Sequence, residues 1–309
     1  MSLRRRAFLG SVAATAVASA AARGAGFARA LIVANRAWEC DALEDACSYT
    51  RQHPFAARYQ RTSGIRGRRG IFESANGQVE IWCIEDLLAP GSDPRSSAVK
   101  AQVLPAVVGG NSIALVGAFG TAASVTTDSQ NGNVVIGTNT FLHDPHAPDS
   151  VSHWKPPHPD TLVTSAMDDA TFRNVIGSVA ERIVDQPLLL TPPLVPAARP
   201  VVIADRTFVA LSDINVTNFE DYARADPMVV RAYRRSGATA PIGSLETTHA
   251  VIRAYTTAPF FFVSGITNRI GAFEAEDAPR FDAQNFVASY NAGVAVAAMA
   301  IRMLYFLAH

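Results

Sequence analysis

The chain lacks an excess of charge of either sign, with 27 Lys and Arg standing against 27 Asp and Glu. That balance gives no support to a nucleic-acid or acidic-surface partner. Cysteine is scarce. Cys40, Cys47 and Cys83 cannot all pair with one another, show no Cys-x-x-Cys spacing and have no evident local base, so they exclude a disulfide framework and read as small buried hydrophobes. Clean apolar runs of bilayer length are lacking too. The uncharged stretch from Gly10 to Ala22 is short and Ala-rich, and Asn285, Ser289, Asn291 and Arg302 interrupt the apolar segment Asp282 to Leu307, which reads as a packed core helix.

What remains is an ordinary globular composition. The 309 residues, 49% of them hydrophobic, suffice for one large α/β domain over 30–309. Apolar runs of strand length occur at Ala30–Ala34, Val79–Ile84, Ile113–Val116, Val201–Ala204, Phe208–Leu211 and Phe260–Gly265. Between them lie helical patterns, such as Pro94–Val108, Ala166–Val184 and Asp221–Arg235. The segment Gly243–Tyr255 also reads as a helix, with Leu245, Ala250, Ile252 and Ala254 on one side and Glu246 at its start. Asn268 falls just past the strand Phe260–Gly265. Ligands bind at the carboxyl edge of open α/β sheets, which places Glu246 and Asn268 at one pocket.

Other chemistry-bearing residues have plainer readings beside the functional one. Glu39 and Asp41 open a helix after the first strand, where the macrodipole alone favours acids. Gly117-Ala118-Phe119-Gly120 reads as a glycine-rich turn whose backbone N–H groups can approach a ligand. The histidines at 143, 146, 153 and 158 are of metal-ligating type, but Pro145, Pro148, Pro156, Pro157 and Pro159 break any helical spacing that would present them together. A proline-stiffened loop is the favoured account there, and no metal or cofactor is assigned. The cluster Arg58, Arg61, Arg66, Arg68 and Arg69 reads as a solvated loop within Arg51–Gly70.

Three landmarks occur together in a recognisable order. Asn131 to Gly137 running into Phe141-Leu142-His143-Asp144, then Leu245-Glu246, then Ile266-Thr267-Asn268 resemble the Val-Gly-Asp strand with its Tyr-His-Asp, the Met-Glu motif and the Ile-Ser-Asp strand end of the nucleoside phosphorylase and nucleosidase superfamily. The resemblance spans most of Leu31 to Asn268. It implies a three-layer αβα sandwich around a mixed twisted sheet and a purine nucleoside, or a close relative, as the small-molecule partner. It further implies a homodimer or higher homo-oligomer. Glu246 then grips the ribose, with Leu245, Gly117, Ala118 and Phe208 as further substrate-binding positions.

The attacking water falls to Asp41 by register with the family's Met-Glu-Glu-Glu stretch, with Glu39 as the competing carboxylate. Asn268 stands where nucleosidases have the Asp that addresses the base, so the side-chain acid is replaced by an amide. Leu115 and Ala118 stand where hexameric phosphorylases of this fold place an Arg and a Ser on phosphate, which favours hydrolysis, while Arg36 and the Arg58–Arg69 cluster keep a phosphate route open. A nucleoside-binding or storage protein without turnover is the reading from a different class. The N-terminus, Arg4-Arg5-Arg6-Ala7-Phe8-Leu9 and then uncharged residues to Ala22, resembles a twin-arginine export signal over 1–22, implying a periplasmic or secreted product without a stable membrane anchor after cleavage.

Overall fold

The computed structural model describes residues 28–50, 59–75, 77–125, 131–144, 159–177, 179, 199–213 and 222–307. The strands are β1 (Ala28–Ala34), β2 (Tyr59–Arg61), β3 (Arg68–Glu73), β4 (Gly77–Cys83), β5 (Ile113–Ser124), β6 (Val134–Gly137), β7 (Asn139–His143), β8 (Leu162–Val163), β9 (Val202–Ala204), β10 (Val209–Asp213), β11 (Ile242–Glu246) and β12 (Phe260–Arg269). The principal helices are α1 (Ala37–Thr50), α2 (Ser97–Val108), α3 (Tyr222–Arg235), α4 (His249–Ala254) and α5 (Phe281–Phe306). Strand order is β2-β3-β4-β1-β5-β11-β10-β7-β8, with β12 joined to β5 and β6, and β6 joined to β9. β1 pairs in parallel with β4 and β5, and β12 in parallel with β5, whereas β3–β4 and β6–β12 are antiparallel, so the sheet is mixed.

Why there are three layers follows from β1. Its residues are apolar in succession, and a strand with no polar face must be covered on both sides. Ala30, Ile32 and Ala34 face α1 and α5, while Leu31 and Val33 face α2 and α4. α5 lies within the first of these layers, burying Ala292, Val296, Met299 and Met303. The helical stretch ending at Phe306 is long and apolar enough to cross a bilayer, yet 72% of its most apolar window is buried inside the fold. The three cysteines are buried thiols and form no disulfide, as their sparse spacing implies.

Three local expectations are corrected. Residues Ile242–Glu246 are strand β11, and the helix begins only at His249. Pairing with β10, Leu211 to Leu245 and Ser212 to Glu246, outweighs local helical pattern. Gly243 permits it, since a Cβ there would lie 3.0 Å from Val135 and 3.1 Å from Phe208. The Gly117–Gly120 segment is no turn either; it continues β5 to Ser124. Gly117 makes room for the Phe261 ring, which a Cβ would approach to 2.3 Å. Asn268, finally, lies inside β12 and pairs with Ala123 after a bulge.

The arginine cluster forms an ion-paired sheet edge where a solvated loop was expected. β2 and β3 make a hairpin. Arg61 reaches Glu44 and Asp45, both at 3.5 Å. Arg69 holds Asp86 and, at 3.1 Å, Asp41, and Arg66 donates to the Asp86 and Leu88 carbonyls. Arg58 lies outside the described residues.

Candidate active site

A cavity of about 390 Å³ opens where the carboxyl end of β5 meets those of β11 and β12. Glu39, Leu245, Glu246 and Asn268 line it, together with the backbone of β5 from Phe119 to Ala123. Trp38, Phe273 and Phe281 form an apolar wall of edge-to-face rings, with centroids 6.2 and 6.3 Å apart.

The structure separates the two carboxylates that the sequence left open. Glu39, in the first turn of α1, is 4% exposed and points into the cavity. It accepts from the Arg36 N–H at 2.9 Å, the Thr121 N–H at 2.9 Å and the Thr121 hydroxyl at 3.2 Å. Burial nonetheless raises its carboxyl above the usual range, with those hydrogen bonds opposing. Asp41 is turned away from the cavity, exposed and paired with Arg69.

Glu246 ends β11 and is held on three sides. The Ser212 hydroxyl and the Thr248 N–H both donate to it, and the His249 N–H reaches Oε2 at 2.8 Å. The carboxylate thus caps the first turn of α4 while facing the cavity. An ionised carboxylate accepts about four hydrogen bonds, so three internal donors fix its orientation and leave it able to meet a hydroxyl.

Asn268 is buried, its Oδ1 accepting from the Thr267 hydroxyl at 2.8 Å and its Nδ2 donating to the Arg269 carbonyl at 2.8 Å. One amide hydrogen remains for a ligand. Gly117, Ala118 and Phe208 do not line the cavity. Ala118 is buried in the β1–β5–β12 core and Phe208 packs over Gly137 and Gly243. The physical reason is the strand's period of two: in β5 the glycine that meets the site is Gly120, and Gly117 faces the opposite layer under Phe261. His143, buried in β7, pairs with Asp160 at 2.7 Å. The histidines at 146, 153 and 158 lie outside the described residues.

Several polar groups at the cavity gave no signal in sequence. His249 is 1% exposed and lies three residues past Glu246. Burial lowers its pKa against the pull of Glu246, which keeps the imidazole neutral. Lys100 reads only as one position of a helix; it does not line the cavity but lies behind it, its buried ammonium donating to the Thr248 hydroxyl at 2.7 Å and the Thr247 carbonyl at 3.2 Å. Burial pulls it down to about 8, with Glu246 and Glu39 opposing. Asp226 and Asp277 line the wall beside Asn268, and burial pushes each up to about 7. Asp277 accepts from the Asn285 amide at 2.9 Å, and Asp226 from the Gly271 N–H at 3.1 Å. These residues come together only through the pairing of distant strands.

The architecture and this edge-of-sheet cavity define an α/β protein with the nucleoside phosphorylase and nucleosidase fold. Among solved structures it is similar to the 5′-methylthioadenosine/S-adenosylhomocysteine nucleosidase of Neisseria meningitidis in complex with methylthio-immucillin-A. That match has a TM-score of 0.54 and 15% identity, covering 88% of this chain and 97% of the other. The Campylobacter jejuni nucleosidase aligns with a TM-score of 0.55 at 10% identity over 89% and 98% of the two chains. The Streptococcus pyogenes enzyme, in complex with 5-methylthiotubericidin, gives 0.52 at 11% over 89% and 97%. No family model and no curated protein matches the sequence. At such identities the likeness establishes the fold alone.

Proposed function

We propose that the protein is a nucleosidase that hydrolyses the N-glycosidic bond of a purine nucleoside or close relative. The observation that carries this is the convergence of Glu39 and Glu246 on one cavity at the β5 edge, with Asn268 on the same wall. As the C1′–N bond lengthens, positive charge develops on the ribose. Glu246, fixed by Ser212 and the α4 N-terminus, accepts a hydrogen bond from a ribose hydroxyl, and the bond strengthens with that charge. Glu39, whose carboxyl burial raises above the usual carboxylate range, suits a base that takes a proton from water. Asn268 donates its free amide hydrogen to the base, which suits a 6-oxopurine or a base that leaves without a side-chain acid.

A phosphorylase reading finds less support, because the two arginines at the cavity already hold carboxylates: Arg36 with Glu85 at 3.4 Å and Arg95 with Asp93 at 3.0 Å. The amide at Asn268 favours a second reading, a nucleoside-binding protein without turnover. Incubating the pure protein with a nucleoside panel, with and without phosphate, distinguishes them. Free ribose is expected; ribose 1-phosphate would mark a phosphorylase, and binding without product the second reading.

We further propose export by the signal over 1–22, which lies outside the described residues, and assembly as a homo-oligomer. Intact mass of the periplasmic product checks the first, with a cut near Ala20–Ala22 expected. Sedimentation checks the second.

A further inference from the structure

Neither the capping of α4 nor the gripping of ribose accounts for the His249 side chain at the cavity. Its ring stacks on Phe262, centroids 5.7 Å apart and planes at 25°. Nδ1 faces the Ser264 hydroxyl at 3.5 Å and Glu246 Oε1 at 3.7 Å. Nε2 is buried and has no hydrogen-bond partner. Leaving a buried polar nitrogen unsatisfied is costly, so its surroundings bear on what it is for.

Those surroundings are Gly120 and Glu39. A Cβ built on Gly120 would sit 3.5 Å from His249 Nε2 and 3.0 Å from Glu39 Oε1. The two groups therefore border the same space, the one that the missing side chain leaves, and no hydrogen bond joins them across it. Burial keeps the imidazole neutral. With its proton on Nδ1, toward Ser264 and Glu246, Nε2 carries the lone pair.

We propose that His249 Nε2 and Glu39 together hold the attacking water, in an extension that rests on the nucleosidase reading. One O–H of the water donates to Glu39 and the other to Nε2, which turns an oxygen lone pair toward C1′. The oxygen bonds to C1′ as the C1′–N bond breaks, and that bond's electron pair leaves with the base. The water's proton passes to Glu39, and the base takes up a proton from solvent. His249 is then a catalytic residue in contact with the nucleophile, and the Glu246 carboxylate behind it links the ribose grip to water orientation.

The test uses the full-length protein and its His249→Ala and Gly120→Ala variants, with ribose release, nucleoside binding by calorimetry and thermal unfolding measured on each. In His249→Ala, kcat is expected to fall by about 10²-fold or more while KM and nucleoside affinity hold, and added imidazole should restore part of kcat. Gly120→Ala, whose methyl fills the gap, should still bind nucleoside and lose hydrolysis. If the wild type releases ribose and His249→Ala does so equally well, the His249 assignment fails alone. It fails likewise if kcat drops only together with affinity and imidazole restores nothing. Should the wild type release no ribose, or form ribose 1-phosphate, the nucleosidase reading falls and takes this one with it.

Discussion

Ser212 and Glu246 stand opposite each other on parallel strands β10 and β11, and the serine hydroxyl donates to the carboxylate. The same hydroxyl oxygen accepts from the Ala250 N–H at 2.9 Å, so one buried serine ties the end of a strand to the first turn of α4. Replacing Ser212 by Ala leaves the Ala250 N–H without its partner and Glu246 with one donor fewer. The expected loss is about 1–3 kcal/mol of stability, read from urea unfolding, with a rise in KM for any nucleoside.

Glu39 and Asp41 make a direct contrast. Glu39→Gln keeps the shape of the side chain but removes the charge that takes a proton from water, so kcat should drop by about 10²-fold or more. Asp41→Asn should leave kcat unchanged, since Asp41 faces solvent and Arg69 retains Asp86. Steady-state ribose release on both variants checks the pair. Equal losses would contradict the placement of the water at Glu39.

Stability should fall as pH rises through the range set by Asp226 and Asp277. Burial lifts both from 3.8 in the unfolded chain to about 7 in the fold. Between those values the folded protein binds more protons than the unfolded, so their stabilising contribution is complete below 3.8 and gone above about 7. Thermal midpoints measured across this window should decline for the wild type and flatten in Asp226→Asn and Asp277→Asn, which carry no titrating proton.

Asn268→Asp tests the missing acid. A carboxyl at this site, 3% exposed for the native residue and beside the already raised Asp277, would be held protonated by burial and by repulsion from a second carboxylate. Activity toward adenosine, whose N7 needs a proton to leave well, should increase. Loss of that activity with rising pH would accompany it. An unchanged adenosine rate would place the proton source elsewhere.

Much of the fold is legible in sequence because its signals are local. The unbroken apolar run at Ala30–Ala34 demands cover on two faces, and the structure supplies helices on both. Phe260–Gly265 is a buried strand for the same reason, and the apolar segment Asp282–Leu307, interrupted by Asn285, Ser289, Asn291 and Arg302, supplies the core helix that this pattern predicts. Local pattern misled at Gly243–Tyr255. There a helical spacing of apolar residues continues back into a segment that the neighbouring strand β10 recruits into the sheet.

The sequence by itself determined which residue types are available to the site, namely two acids near the first strand, Glu246, and an amide in place of an acid at 268. Tertiary structure decided which of them meet. Positions 39 and 41 are two residues apart on α1, some 200° around a helix, so only one can face the cavity, and which one depends on where β5 lies. Gly117 and Gly120 are three apart on a strand and face opposite layers; sheet register chose Gly120. His249 meets Glu39 at Gly120 only because β5, α1 and the start of α4 converge from three distant parts of the chain. No local pattern encodes that meeting, since it is made by strand pairing.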